Sequence, residues 1–131
     1  MLTRLNLWDT ARARLQDAEA LLQSQRYDGA VYVCGYAVEI ALKERICRTL
    51  NWPEFPSTRG DFISLQSFRT HDLDILLHLS GVEQEIKKER LAEWSSVAAW
   101  NPEARYYPIG STTAAEAAQM VKSAKVLLEA L

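Results

Sequence analysis

"GAVYVCGYAVEIALKER", residues 29–45, holds fourteen residues from Gly29 to Leu42 with a single charge, Glu39. A helix this apolar on nearly every side is central in its bundle or sits in an oligomer interface. The stretch therefore sets the fold class and raises one chemical question. A carboxylate in the middle of a buried helix is costly unless it is paired, hydrogen-bonded or protonated. Lys43 lies one turn later, the favourable order for an ion pair. Arg105, from a connection far along the chain, is the alternative partner, through a bidentate contact that would satisfy both charges.

Around this helix the periodicity predicts others. A first helix runs from about Asn6 to Gln25, with Leu7, Ala11, Leu15, Ala18, Leu21 and Leu22 at helical spacing. Asp28 is placed to cap the second helix, about residues 29–50. Pro53 and Pro56 end that helix and open an irregular connection, Asn51–Arg69, that is too rich in aromatic residues for a free linker. A short helix is expected around Asp61–Phe68. Thr70 reads as the cap of a third helix, "HDLDILLHLS", with Asp72 and Asp74 near its positive end and Gly81 as its stop. A fourth spans about Glu83 to Ala99, with Ile86, Leu91, Trp94, Val97 and Ala98 inward. Asn101-Pro102 breaks it. Thr113 to Glu116 matches a capping box for a last helix that buries Ala117, Met120, Val121, Ala124, Leu127 and Leu128. No alternating run is long enough for a strand. The fold class is all-α, a four- to five-helix up-down antiparallel bundle, and residues 1–131 form one domain.

Composition narrows the function. A net charge of −2 gives no global basic field for nucleic acid. No apolar run is long enough to span a bilayer, and the first residues lack a signal-peptide pattern, so the expected location is the cytoplasm. Cys34 and Cys47 lie on one helix, roughly 20 Å apart, too far for a disulfide. Two cysteines and two histidines at unhelpful spacings make no metal site. No cofactor is implied.

Three pieces of the chain together resemble the HEPN domain, the higher eukaryotes and prokaryotes nucleotide-binding family. "YDGAVYVCGYAVEIALKERI" is similar to the family's second helix, "THDLDILL" to its Thr/Ser-His-Asp-Leu helix start, and "EARYYP" with "EAAQMVKSAKVLLEAL" to its Ala-Arg-Tyr-Pro segment and closing helix. The resemblance implies a helical bundle that pairs with itself and often works beside a separately encoded small nucleotidyltransferase, in many members within toxin–antitoxin or defence systems. Ribonuclease members carry an Arg, four to six residues, then a His. Here the positions that would hold the Arg for His71 or His78 are Ser64, Leu65, Gln66, His71, Asp72 and Leu73. "ARYYP" also carries one Tyr more than the family pattern.

The candidate ligand-binding residues are Glu39, Lys43, His71, Asp72, Arg105, Tyr106 and Tyr107. A histidine at a helix start can meet phosphate or move a proton near neutral pH, or merely bond the preceding loop. An Arg beside two tyrosines suits a base and phosphate, and equally a protein interface. The basic residues Lys43, Arg45 and Arg48, and Lys87, Lys88 and Arg90, are diluted by Glu44, Glu83, Glu85 and Glu89, which is the pattern of solvated faces, so RNA binding rests on little. The leading expectation is a non-catalytic module that self-associates and binds a nucleotide, a nucleotidyltransferase, or both. The alternatives are a ribonuclease or nucleotide-processing enzyme using His71, Arg105 and a tyrosine, and a purely structural oligomerisation module.

Overall fold

The structure, a computed structural model, describes residues 2–131. Six α-helices occur among them: α1 (Arg4–Gln23), α2 (Tyr27–Leu50), α3 (Leu73–Leu79), α4 (Glu83–Glu89), α5 (Leu91–Val97) and α6 (Ala114–Ala130). The all-α class stands. Three long helices, α1, α2 and α6, carry the bundle, and three one- to two-turn helices close its side.

The connection from α1 to α2 is so short that the two must run antiparallel, and they form the most extensive packing in the chain. α6 lies against both, and α3 covers a further side of α2. Eleven residues of α2 are buried as a result, among them Ala30, Ala37, Val38, Ala41, Leu42 and Ile46. Much of the apolar girth of α2 is thus covered within one chain, while Val31, Val33, Tyr36 and Ile40 stay half-buried. Its partners are the stripes expected from spacing: Leu7, Ala11, Leu15 and Ala18 of α1, and Ala117, Met120, Val121, Ala124, Leu127 and Leu128 of α6.

The helix ends differ from expectation in instructive ways. Thr3, not a residue near Asn6, caps α1, accepting from the Asn6 amide. Asp28 does not cap α2; it lies in the helix's first turn and reaches the distant amides of Gly110 and Thr112 instead. Asp72, rather than Thr70, caps α3, accepting from the Asp74 and Ile75 amides, while the Thr70 hydroxyl accepts from the Asp72 amide one step earlier. The single fourth helix is two. Backbone turns out of helical conformation at Arg90 (φ −135°), with neither proline nor glycine to mark the break. The change of phase keeps Ile86, Trp94 and Val97 buried but turns Leu91 outward. At Thr113 the capping residue accepts from the Glu116 amide, and its hydroxyl donates to the Glu116 carboxylate.

The Asn51–Arg69 connection is packed, as its aromatic content requires. Asn51 turns left-handed (φ 56°) to end α2, and Trp52 then packs at a tilt, 5.0 Å between ring centroids, on Phe68, which closes a 3-10 turn at Gln66–Phe68. Phe55 is buried beside both, and its amide donates to the Leu2 carbonyl. The expected helix over 61–68 is reduced to that one turn. An isolated bridge pairs Thr3 with Glu54, and no strand forms among the described residues. No helix is long and apolar enough to cross a membrane.

Cys34 and Cys47 are both free and buried. Burial pushes the Cys34 thiol up to about 12 and the Cys47 thiol to about 11. Thiolate being the reactive form, neither should label with Ellman's reagent in the folded protein. Rapid stoichiometric labelling without denaturant would contradict this packing.

Candidate functional site

One face of α2 carries Tyr32, Tyr36, Glu39 and Lys43 at helical spacing, and the buried carboxylate lies in it. Glu39 is 3% exposed and uses both oxygens. Oε2 accepts from Lys43 Nζ at 3.3 Å, and Oε1 is 2.7 Å from His71 Nδ1. Since the carboxylate accepts, Nδ1 is the donor, and the ring is held through one nitrogen while the side chain stays 59% exposed. The loop brings His71 across thirty-two residues to a carboxylate that looks, in sequence, as if it needed only Lys43.

His71 and Lys43 open onto a cleft of about 530 Å³ between α2 and the 54–71 connection, lined also by Phe62, Phe68, Arg69 and Thr70. That volume falls in the range of small-ligand sites. Lys43 Nζ lies 5.4 Å from the Phe55 ring centroid, and the Arg69 guanidinium 5.9 Å from that of Phe62. Two cations and an imidazole therefore share one wall with aromatic faces, and the sole carboxylate among these groups is already bonded. Such a cleft suits an anion joined to a flat or apolar body.

Arg105, the alternative partner, does not reach Glu39. Its Nη1 donates to the Pro102 carbonyl, and its guanidinium stacks 4.6 Å over Tyr106. The phenols of Tyr106 and then Tyr32 beside it raise its pKa further. Burial, then the Tyr32 hydroxyl and the Glu39 carboxylate, push Tyr36 above the usual phenol range, with Arg105 pulling the other way. Tyr36 thus stands between two groups of candidates. Glu39, Lys43, His71 and, as helix cap, Asp72 come together at one end of the α2 face. Arg105 and Tyr106 gather by Tyr32 at the other, about 10 Å of helix away from Glu39. Tyr107 turns to a different cleft, below its own segment. A composite of His71, Arg105 and a tyrosine is not assembled.

Two residues of consequence escaped the sequence reading. Arg69 was hidden at the end of an irregular stretch; its signal was a cation two places before the helix-start histidine. Glu44, taken for a solvated acid, is 5% exposed. It is bonded by Arg48 Nε at 2.9 Å with Arg4 Nε at 3.8 Å, and Arg45 and Arg48 both donate to the Leu131 carbonyl. These arginines tie α2 to the end of α6 and are structural. His78, by contrast, is exposed and meets only Glu83, at 3.3 Å. No group of three metal-ligating side chains occurs among the described residues.

Residues 5–59, which are α1, α2 and the start of the packed connection, match the family model of the HEPN domain. That part of the chain is similar to the HEPN domain. No curated protein and no solved structure matches the chain significantly. The HEPN match covers Glu39 and Lys43 directly, while His71 and Arg105 lie beyond it. His71 joins the site by geometry, through its bond to Glu39, whereas Arg105 lies apart from it, beside Tyr32.

Proposed function

We propose that this chain is a HEPN-type nucleotide-binding helical module whose cleft between α2 and the 54–71 connection takes the phosphate end of the ligand. The observation that carries the reading is the convergence of Lys43, Arg69 and His71 on one cleft, with Glu39 beneath them fixing two of the three. Arg69 and Lys43 meet the charge, and Phe62 and Phe68 offer apolar contact to the rest of the molecule. Titration calorimetry with ATP, and with inorganic triphosphate to separate phosphate from base recognition, tests it. Arg69 is exposed and has no role in the core, so Arg69→Ala should fold normally and weaken binding by about tenfold or more, the value of one charge-assisted hydrogen bond. No heat from either ligand at millimolar concentration would remove the reading.

Self-association and a separately encoded nucleotidyltransferase partner, in a toxin–antitoxin or defence setting, remain part of this proposal. Light scattering at tens of micromolar tests self-association, and a single species of 14.9 kDa would defeat it.

The Glu39–His71 contact favours a second reading. A carboxylate that holds one imidazole nitrogen leaves the other to exchange a proton with a ligand, the arrangement of many acid–base dyads. The first reading expects no cleavage of RNA by the pure protein. Cleavage that vanished in His71→Ala would put the enzyme first.

A further inference from the structure

Seven consecutive residues, 105–111, are exposed, Ile109 completely so. This strap joins the 3-10 turn at Pro102–Tyr106 to α6. Its own hydrogen bonds are local: Tyr107 N–H to the Ala104 carbonyl, and Ser111 N–H and hydroxyl to the Pro108 carbonyl. Two contacts tie it to the body of the fold: Arg105, at its start, meets Tyr32, and Asp28 holds its far end. Asp28, in the first turn of α2, accepts from the Gly110 amide through Oδ2 at 2.7 Å and from the Thr112 amide through Oδ1 at 3.0 Å. Gly110 adopts φ +88° to present that amide, a conformation other residues rarely take. Both carboxylate oxygens are engaged, and the Gly110 bond above all holds the Asp28 pKa below the ordinary carboxylate value.

Beneath the strap is a cleft of about 740 Å³, separate from the cationic one. Asp28, Tyr107, Ser111 and Thr112 form its rim, and Val31, Trp100 and Met120 its apolar wall. Trp100 is 7% exposed, and its indole N–H is buried without an acceptor. A strap with no buried side chain, fastened by one half-buried carboxylate and the Arg105–Tyr32 contact over an apolar cleft with an unpartnered donor in its wall, is built to lift.

We propose that residues 105–111 are a gate over the Trp100 cleft and that Asp28 is its latch. Lifting breaks the Asp28 bonds and the Arg105–Tyr32 contact, and no fully buried side chain of the strap has to be withdrawn first. Arg105 and Tyr106 ride on the same segment, so opening also draws them from Tyr32 at the far end of the α2 face.

Hydrogen exchange and thiol labelling together test the proposal. Asp28→Ala, and Asp28→Asn should the first fold poorly, is expected to speed exchange of the 105–112 amides by about tenfold or more while α1, α2 and α6 keep their protection. In a Met120→Cys background, with the native thiols buried, the same change should raise the rate of labelling by Ellman's reagent by about the same factor. Unchanged strap exchange would show that Asp28 is not the latch. Faster strap exchange with unchanged Cys labelling would show that the strap does not gate the cleft. Loss of protection spreading into α6 in both variants would also overturn the proposal, since Asp28 would then be holding the bundle together.

Discussion

Gly35→Ala should destabilise the protein by about 3 kcal/mol or more, at the upper end of what overpacking costs. On propensity alone the change should help, since alanine is favoured over glycine inside a helix by about 1 kcal/mol. Packing reverses the sign. A Cβ at Gly35 would lie 2.0 to 2.2 Å from three atoms of the Trp100 indole, which rests directly on the α2 backbone at this point. These are ring atoms, and the ring is wedged: Tyr36 meets it edge-on at 4.9 Å, and Tyr32 packs on Tyr36 at 5.3 Å. Relief would therefore displace Trp100 together with the aromatic row beside the candidate site. Denaturant melts of Gly35→Ala, Trp100→Leu and the double variant measure this. Trp100→Leu alone should be costly, yet adding Gly35→Ala to it should cost little, giving strong non-additivity. Additive losses would mean that the glycine is needed for some reason other than the indole.

Gly35 also shows where sequence reading stops. In the run "GAVYVCGYAVEIALKER" it is one small residue among many, and nothing local distinguishes it from the alanines on either side. Its constraint comes from a tryptophan sixty-five positions away. Where a pattern repeats along one element, as in α1 and α6, the buried face was legible almost residue by residue, because helical period and burial are the same information. The failures fall where a side chain serves a distant partner. Asp28 has the right type and position for a helix cap, and capping is the commoner local role. It serves the Gly110 and Thr112 amides instead, a choice that only the fold can make. Glu44 looked solvated because Lys43 and Arg45 flank it, yet on a helix neighbours in sequence point to different sides. The break at Arg90 carries no punctuating residue at all.

The site was half legible for the same reason. A lone carboxylate in an apolar run demands a partner, and that demand is visible without a structure. Lys43 answers it locally, and its contact is present. The sequence reading offered Arg105 as the alternative to Lys43 and did not weigh His71, which is the second partner the fold supplies. Chain geometry decided for the α3 start: the aromatic packing of Trp52, Phe55 and Phe68 folds the connection back along α2 and sets His71 beside Glu39. The Arg105 segment is fastened at the other end of the same face by Asp28.

Replacing Glu39 with alanine should accordingly cost about 2 to 3 kcal/mol, less than the full penalty of breaking a sealed ion pair. The partners set that discount. The Lys43 side chain is 16% exposed and can swing its ammonium toward the cleft, and the His71 side chain, at 59%, already meets water. Neither is stranded as a buried charge would be. A solvated pair would lose under about 1 kcal/mol, so the two cases separate cleanly in a urea melt. Double-mutant cycles then assign the partners. Glu39→Ala with His71→Ala, and Glu39→Ala with Lys43→Ala, should each couple by about 0.5 kcal/mol or more, whereas the cycle with Arg105→Ala should be additive within about 0.5 kcal/mol. Coupling to Arg105 comparable with that to His71 would place the 102–112 segment across Glu39 and undo the geometry of the cationic cleft. Without coupling to His71 as well, the imidazole would have no anchor, and the convergence of Lys43, Arg69 and His71 on a phosphate would lose the residue that holds it in place.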